Sequence, residues 1–194
     1  MKGYAVAFVL GAATLLQGFG ADAHGSVPAA KATPLDLYLT SREAYEMVTA
    51  DPDILFIDVR DPVEISLDGH PEPVDAIVPI KLFSDVISYE TGDPELVENP
   101  GFLGQMDRTV AAAGRSKADR IIVSCGNGRR SALAVRRLAA AGYTDVWHIP
   151  DGYPGDEAPG RNTDNAWRMA GLPWSTTAIV PGSAWALLFE DAAE

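Results

Sequence analysis

Ile121-Ile122-Val123-Ser124-Cys125-Gly126-Asn127-Gly128-Arg129-Arg130-Ser131 is the stretch on which the fold turns. An apolar run leads into the only cysteine of the chain, and glycines follow at 126 and 128. Ala134, Val135, Leu138 and Ala141 then fall on one face of a helix from about Arg130 to Ala141, which Gly142 stops. A strand that turns on glycines into a helix N-terminus gathers backbone N–H groups around whatever sits at the turn. Here that is one sulfur, and such a pocket binds anions and favours thiolate over thiol. Cys125 stands at the strand end rather than inside the apolar run, so the sequence reads it as a used thiol and not an inert core residue.

The pattern extends in both directions. Thr40-Ser41-Arg42-Glu43 has capping-box form, with Ala44, Tyr45 and Val48 at helical spacing after it and Asp51-Pro52-Asp53 as a stop. Ile54-Leu55-Phe56-Ile57 is apolar on both faces, as a central parallel strand is, and ends in Asp58-Val59-Arg60. Ala76–Ile80 and Asp145–Ile149 are further strand candidates. Residues 90–101 read as a surface excursion, Phe102–Gly114 as a helix, 151–164 as a loop, and Asn165–Gly171 as a short helix carrying Trp167. Strands alternating with helices predict a three-layer α/β domain with a parallel sheet.

Composition restricts the setting. Met1-Lys2, an apolar run from Tyr4 to Leu16 and the small-x-small triplet Ala21-Asp22-Ala23 predict a signal peptide at residues 1–23, cleaved after Ala23, and hence a periplasmic or secreted protein. The run is short for a membrane span of about 20 residues, although an uncleaved anchor is the alternative. Residues 24–35 read as a flexible lead-in, 36–176 as the domain, and 177–194 as an extension whose apolar Trp185, Leu187, Leu188 and Phe189 pack on the domain or dock a partner protein. The net charge of −12 disfavours nucleic acid and anionic membrane as partners. A small anion then needs a locally positive site, which Arg129 and Arg130 can supply. A single cysteine excludes an intramolecular disulfide. His24, His70 and His148 have no second ligand at metal spacing, so no metal site is predicted.

Five segments in order resemble the rhodanese-like (thiosulfate sulfurtransferase) family. They are Phe56–Glu64 with its Asp-Val-Arg turn, Gly69-His70 followed by Ala76–Ile80, the loop Cys125–Ser131, Ala141-Gly142-Tyr143 with Asp145-Val146, and Ala166-Trp167-Arg168-Met169-Ala170-Gly171-Leu172-Pro173. The resemblance covers about residues 36–174. It implies a central five-stranded parallel sheet flanked by helices, and no cofactor. It also implies a Cys125 that takes sulfane sulfur from a small anionic donor such as thiosulfate, holds it as a persulfide, and passes it to a thiol or cyanide acceptor. Gly126, Asn127, Gly128, Arg129, Arg130 and Ser131 would then be the substrate-binding loop, with Asp58 and Arg60 shaping the pocket floor and Glu64 beside them.

The chain departs from the family pattern at Gly126, at Asn127, in Pro71–Asp75, and by an insertion near 155–164. Residues 90–101 and that insertion are candidates to border the pocket mouth. Arg130 either binds the anion or stiffens the loop through an ion pair. Asn127 either takes a left-handed backbone or touches substrate. Two rivals remain: a non-catalytic binding module of a periplasmic pathway, and a Cys-dependent phosphatase or arsenate reductase. The latter use a Cys-x5-Arg loop, whereas Arg130 closes a loop one residue shorter.

Overall fold

The computed structural model describes residues 27–153 and 166–177. The signal peptide expected at residues 1–23, the insertion near 155–164 and the extension beyond Thr177 lie outside the described residues. No helix of the described residues is long and apolar enough to cross a membrane.

The sheet is built around β1 (Leu55–Asp58), which pairs in parallel with β6 (Ile121–Ser124) and with β3 (Ala76–Ile77). The strand β7 (Val146–His148) adds to the other side of β6, giving the order β3-β1-β6-β7. Four strands stand where five were expected. The fifth position is held by one parallel bridge from Tyr38 to His148, closed by Leu39 N–H to the His148 carbonyl (3.1 Å) and His148 N–H to that of Leu37 (3.2 Å). It extends no further because Thr40 is already the N-cap of α1 (Ser41–Ala50).

Alternation along the central strands splits the core in two. Ile57, Ile121 and Val123 face Phe102, Met106 and Val110 of α3 (Phe102–Ala112) and Ala134, Val135 and Leu138 of α4 (Arg129–Ala140). Phe56 and Ile122 face the opposite way, onto Leu39, Ala44, Tyr153 and Trp167. This is the three-layer α/β arrangement that the sequence predicts, with period-two burial set by the pleat.

Both first-turn carboxylates close capping boxes: Thr40 with Glu43 on α1, and Asp61 with Glu64 on α2 (Pro62–Asp68). Two further small pairings complete the fold. The strand β2 (His70–Pro71) pairs with β8 (Trp174–Ser175), and β4 (Lys81–Ile87) forms an antiparallel hairpin with β5 (Pro94–Glu98). The expected excursion at 90–101 is thus partly strand, and its arm carries exposed Val86, Ile87 and Tyr89.

Two other expectations are corrected. The described part of the short helix at 165–171 is a run of turns from Ala166 to Gly171, because Gly171 adopts φ 68° and the Trp167 indole donates to the Pro173 carbonyl (2.9 Å), pulling the chain out of helical register. The described part of the lead-in is ordered. A 3-10 turn at Ala29–Lys31 is clamped by Arg136, which donates to the carbonyls of Ala30 (2.9 Å) and Ala32 (3.1 Å), and Lys31 is buried with its Nζ donating to the Pro150 carbonyl (2.8 Å).

Trp167 is stacked on Phe56, with ring centroids 5.3 Å apart, and meets Tyr45 edge-on. Trp167→Ala is expected to lower unfolding free energy by about 3–5 kcal/mol through the cavity it leaves, read by chemical denaturation.

Candidate active site

The ends of β1 and β6 lie side by side, Asp58 opposite Ser124, so the site forms at the carboxyl edge of the sheet. Cys125 follows directly, and Gly126-Asn127-Gly128 carries the chain into α4. Gly128 adopts φ 81°, and a Cβ there would stand 2.1 Å from the Pro150 carbonyl oxygen. From the other side Gly152, at φ 67°, lies so close to the loop that its Cβ would stand 2.3 Å from the Gly126 oxygen. The Tyr153 amide donates to that same Gly126 oxygen (3.0 Å). The loop is therefore pressed against the chain that leaves β7, and only glycine fits at both contacts. Asn127 is not left-handed. Its Oδ1 accepts the Arg129 amide (3.2 Å) and shapes the turn.

The Cys125 sulfur is 0 % exposed and packs in the apolar cluster with Val123 and Ala134. It accepts the Ser131 amide (3.3 Å) and lies 3.6 Å from the Ser131 hydroxyl. The amides of Gly126, Asn127, Gly128 and Arg130 meet no acceptor among the described residues. The expected cradle thus closes one amide on the sulfur and leaves four loop amides unspent, while the sulfur sits deeper than a strand-end position suggested.

Ser131 links the sulfur to a buried histidine. Its Oγ lies 3.1 Å from the Gly128 carbonyl and 3.3 Å from His148 Nδ1. His148 Nε2 lies 3.1 Å from the Lys31 carbonyl. A carbonyl only accepts, so Nε2 carries the proton, and the Nδ1 lone pair competes with the Gly128 carbonyl for the single proton of the Ser131 hydroxyl. Burial pushes His148 down to about 4, with the Lys31 and Arg136 charges adding to the effect against the Lys31 hydrogen bond. The ring is neutral at physiological pH.

Three arginines expected at the site have different duties. Arg130 makes a two-point pair with Glu64, its second guanidinium nitrogen 2.7 Å from Oε1, which ties the loop to α2. Burial alone would raise the Glu64 carboxyl, but the Arg130 hydrogen bond and charge outweigh it and hold it below its ordinary value. Burial works against the Arg130 charge as well. The Glu64 hydrogen bond, with the charges of Cys125, Glu64 and Asp58, holds it above its usual range.

Arg60 and Asp58 form a fully buried two-point pair, with Nη2 2.8 Å from Oδ2 and Nε 3.0 Å from it. Arg60 also donates to the Gly69 carbonyl (2.7 Å) and lies 4.4 Å over the Tyr153 ring. The Tyr153 hydroxyl in turn pairs with Ser124 Oγ (2.6 Å), one residue before the cysteine. Arg129 is exposed.

A cavity of about 330 Å³ opens over the loop, lined by Asn127, Arg129 and Arg130 and, from the hairpin, by Lys81 and Leu96. Leu96 falls within the excursion expected at the pocket mouth. Lys81 was not foreseen, because a lone lysine in a strand carries no local signal. The parts of Tyr153, Lys31 and His148 were likewise hidden, since nothing in the sequence brings His148 beside Ser131.

The chain belongs to the rhodanese-like domain family, whose model matches residues 40–158. It is 31 % identical over 125 residues to the chloroplastic rhodanese-like domain-containing protein 15 of Arabidopsis thaliana, covering 64 % of this chain and 59 % of the relative. It is 33 % identical over 118 residues to the chloroplastic thiosulfate sulfurtransferase 16 of the same plant, covering 61 % of this chain and 77 % of that protein. It spans 45 % of the senescence-associated protein DIN1 of Raphanus sativus, so some of these relatives are about twice the matched length. Among solved structures, that of Rv0390 from M. tuberculosis aligns with a TM-score of 0.54 at 28 % identity, over 72 % of this chain and 97 % of that one.

Two outcomes follow from the buried charges. Asp58→Ala leaves the Arg60 guanidinium buried without its partner and is expected to cost about 3–5 kcal/mol of stability, measured by denaturant titration. His148 binds a proton in the unfolded chain near pH 6.5 but in the folded one only near 4. The unfolded state therefore holds the extra proton between those values, and stability falls as pH drops through that window. The total is on the order of 3 kcal/mol. His148→Asn is expected to flatten this slope in denaturation curves taken at a series of pH values.

Proposed function

We propose that this protein is a sulfurtransferase in which Cys125 carries sulfane sulfur as a persulfide. The sulfur attacks the outer sulfur of thiosulfate; the S–S bond of the donor breaks and sulfite leaves with the electron pair. An acceptor thiolate or cyanide then attacks the outer sulfur of the persulfide, and the Sγ–S bond breaks with its electrons returning to Cys125. The observation that carries this reading is a sulfur fixed by the Ser131 amide at a helix N-terminus, inside a loop with four further amides that meet no acceptor among the described residues.

The occupied guanidinium of Arg130 speaks against the phosphatase or arsenate reductase reading, since a loop arginine that wraps an oxyanion has to face it. The burial of Cys125 is the observation that favours the rival reading as a binding module. The signal-like pattern of residues 1–23 supports a place of action in the periplasm or outside the cell.

Intact mass spectrometry after thiosulfate treatment separates the two surviving readings. The expected result is a gain of one sulfur atom on the wild type that is absent from Cys125→Ser and is discharged by cyanide. No gain from thiosulfate or polysulfide, with the fold intact, overturns the transferase reading and leaves the binding module.

A further inference from the structure

Among the described residues Lys81 and Arg129 are the two cations whose side chains meet no ion pair, hydrogen bond or ring, and both line the same cavity. The others are engaged. Arg60, Arg115, Lys117, Arg120, Arg130 and Arg137 hold carboxylates, Arg42 and Arg136 hold carbonyls, and Arg168 covers Trp174. The register explains why Lys81 is unmatched. Glu98 stands across the hairpin from it, but that carboxylate is taken by Arg137 of α4. In a chain of net charge −12, two unmatched positive charges facing one cavity mark the spot where an anion is locally welcome.

The cavity also has size and an apolar element. Its volume of about 330 Å³ is in the range that small organic ligands fill, larger than a bare sulfur oxyanion requires. Leu96 offers a surface for carbon. Asn127, Arg129 and Arg130 of the loop line the cavity themselves, so a molecule seated here lies against the loop.

We infer that Lys81 and Arg129 form an outer anion seat that selects the sulfur acceptor: a small organic thiol carrying carboxylate or sulfonate groups. This rests on the persulfide reading above. The thiolate of the acceptor attacks the outer sulfur of the Cys125 persulfide, a new S–S bond forms on the acceptor, and Sγ leaves as thiolate. No oxidant or reductant is consumed, and the thiol proton passes to solvent. The seat makes no bond in this exchange. It raises the local concentration of the anionic thiol and orients it.

The test compares mercaptosuccinate, mercaptoethanol and cysteamine as acceptors at constant thiosulfate. The wild type is expected to prefer mercaptosuccinate in kcat/KM by about tenfold or more, the size of one charge-assisted contact. Lys81→Ala should lose most of that preference while its turnover with mercaptoethanol stays within about twofold, Arg129→Ala should lose the preference as well, and added salt should erode it in the wild type. Equal rates for the three acceptors, or an equal fall for all three in the variants, overturns the seat. A raised thiosulfate KM with unchanged acceptor preference assigns the cations to the donor and overturns it too.

Failure of the persulfide reading is seen separately, as absence of the sulfur mass gain. In that event the seat is read by binding. Cys125→Ser should bind methylsuccinate saturably in a calorimetric or NMR titration, and the Lys81→Ala, Cys125→Ser double variant should not. Equal binding by the two overturns the seat.

Discussion

The contact on which the site depends is backbone on backbone. The chain leaving β7 at Pro150–Gly152 lies against the turn at Gly126–Gly128, and no side chain intervenes at either contact. The turn cannot relax outward, because the Pro150 oxygen abuts Gly128 and the Gly152 backbone abuts Gly126. With the turn fixed, α4 starts at Arg129 and the Ser131 amide falls on the sulfur. The described N-terminal segment reinforces the contact from behind, through the Lys31 ammonium on Pro150 and the Lys31 carbonyl on His148. Residues far apart in the chain thus meet on one carbonyl and one imidazole.

Charge is distributed in depth. Beneath the loop, Asp58 and Arg60 are removed from water together, and further hydrogen bonds support the pair, from the Arg60 guanidinium to the Gly69 carbonyl and from the Arg60 amide to Asp58. At mid-depth Glu64 does two jobs, closing the cap of α2 and holding Arg130. At the rim Arg129 and Lys81 stay unmatched. The gradient runs from neutralised charge at the floor to free positive charge at the mouth. It sets an attractive surface in front of the loop within a strongly acidic protein.

The larger elements were legible because their signals are local. The two apolar runs at 54–57 and 121–124 had to be buried on both faces, Thr40 and Glu43 form a cap wherever a helix begins there, and a cysteine followed by glycines is readable as a turn. The short helix foreseen at 165–171 shows the limit. Its apolar spacing was adequate, yet the Trp167 indole found the Pro173 carbonyl and Gly171 turned left-handed, so tertiary anchoring outweighed local preference. The fifth strand shrank to one bridge for a similar reason, the cap of α1 beginning immediately after it.

By itself the sequence determined the main alternation of strands and helices around the central sheet, the place of the one thiol, and its position at the edge where parallel strands end. Those depend on periodicity and on glycine and proline stereochemistry, which act over a few residues. The duties of the charged and polar side chains were decided only by the tertiary structure. Arg130 turned to Glu64, Asn127 to its own backbone, His148 to Ser131, and Lys81 to the cavity mouth. A side chain's partner depends on which distant segment packs beside it, and that is fixed by how the layers close and not by any spacing along the chain.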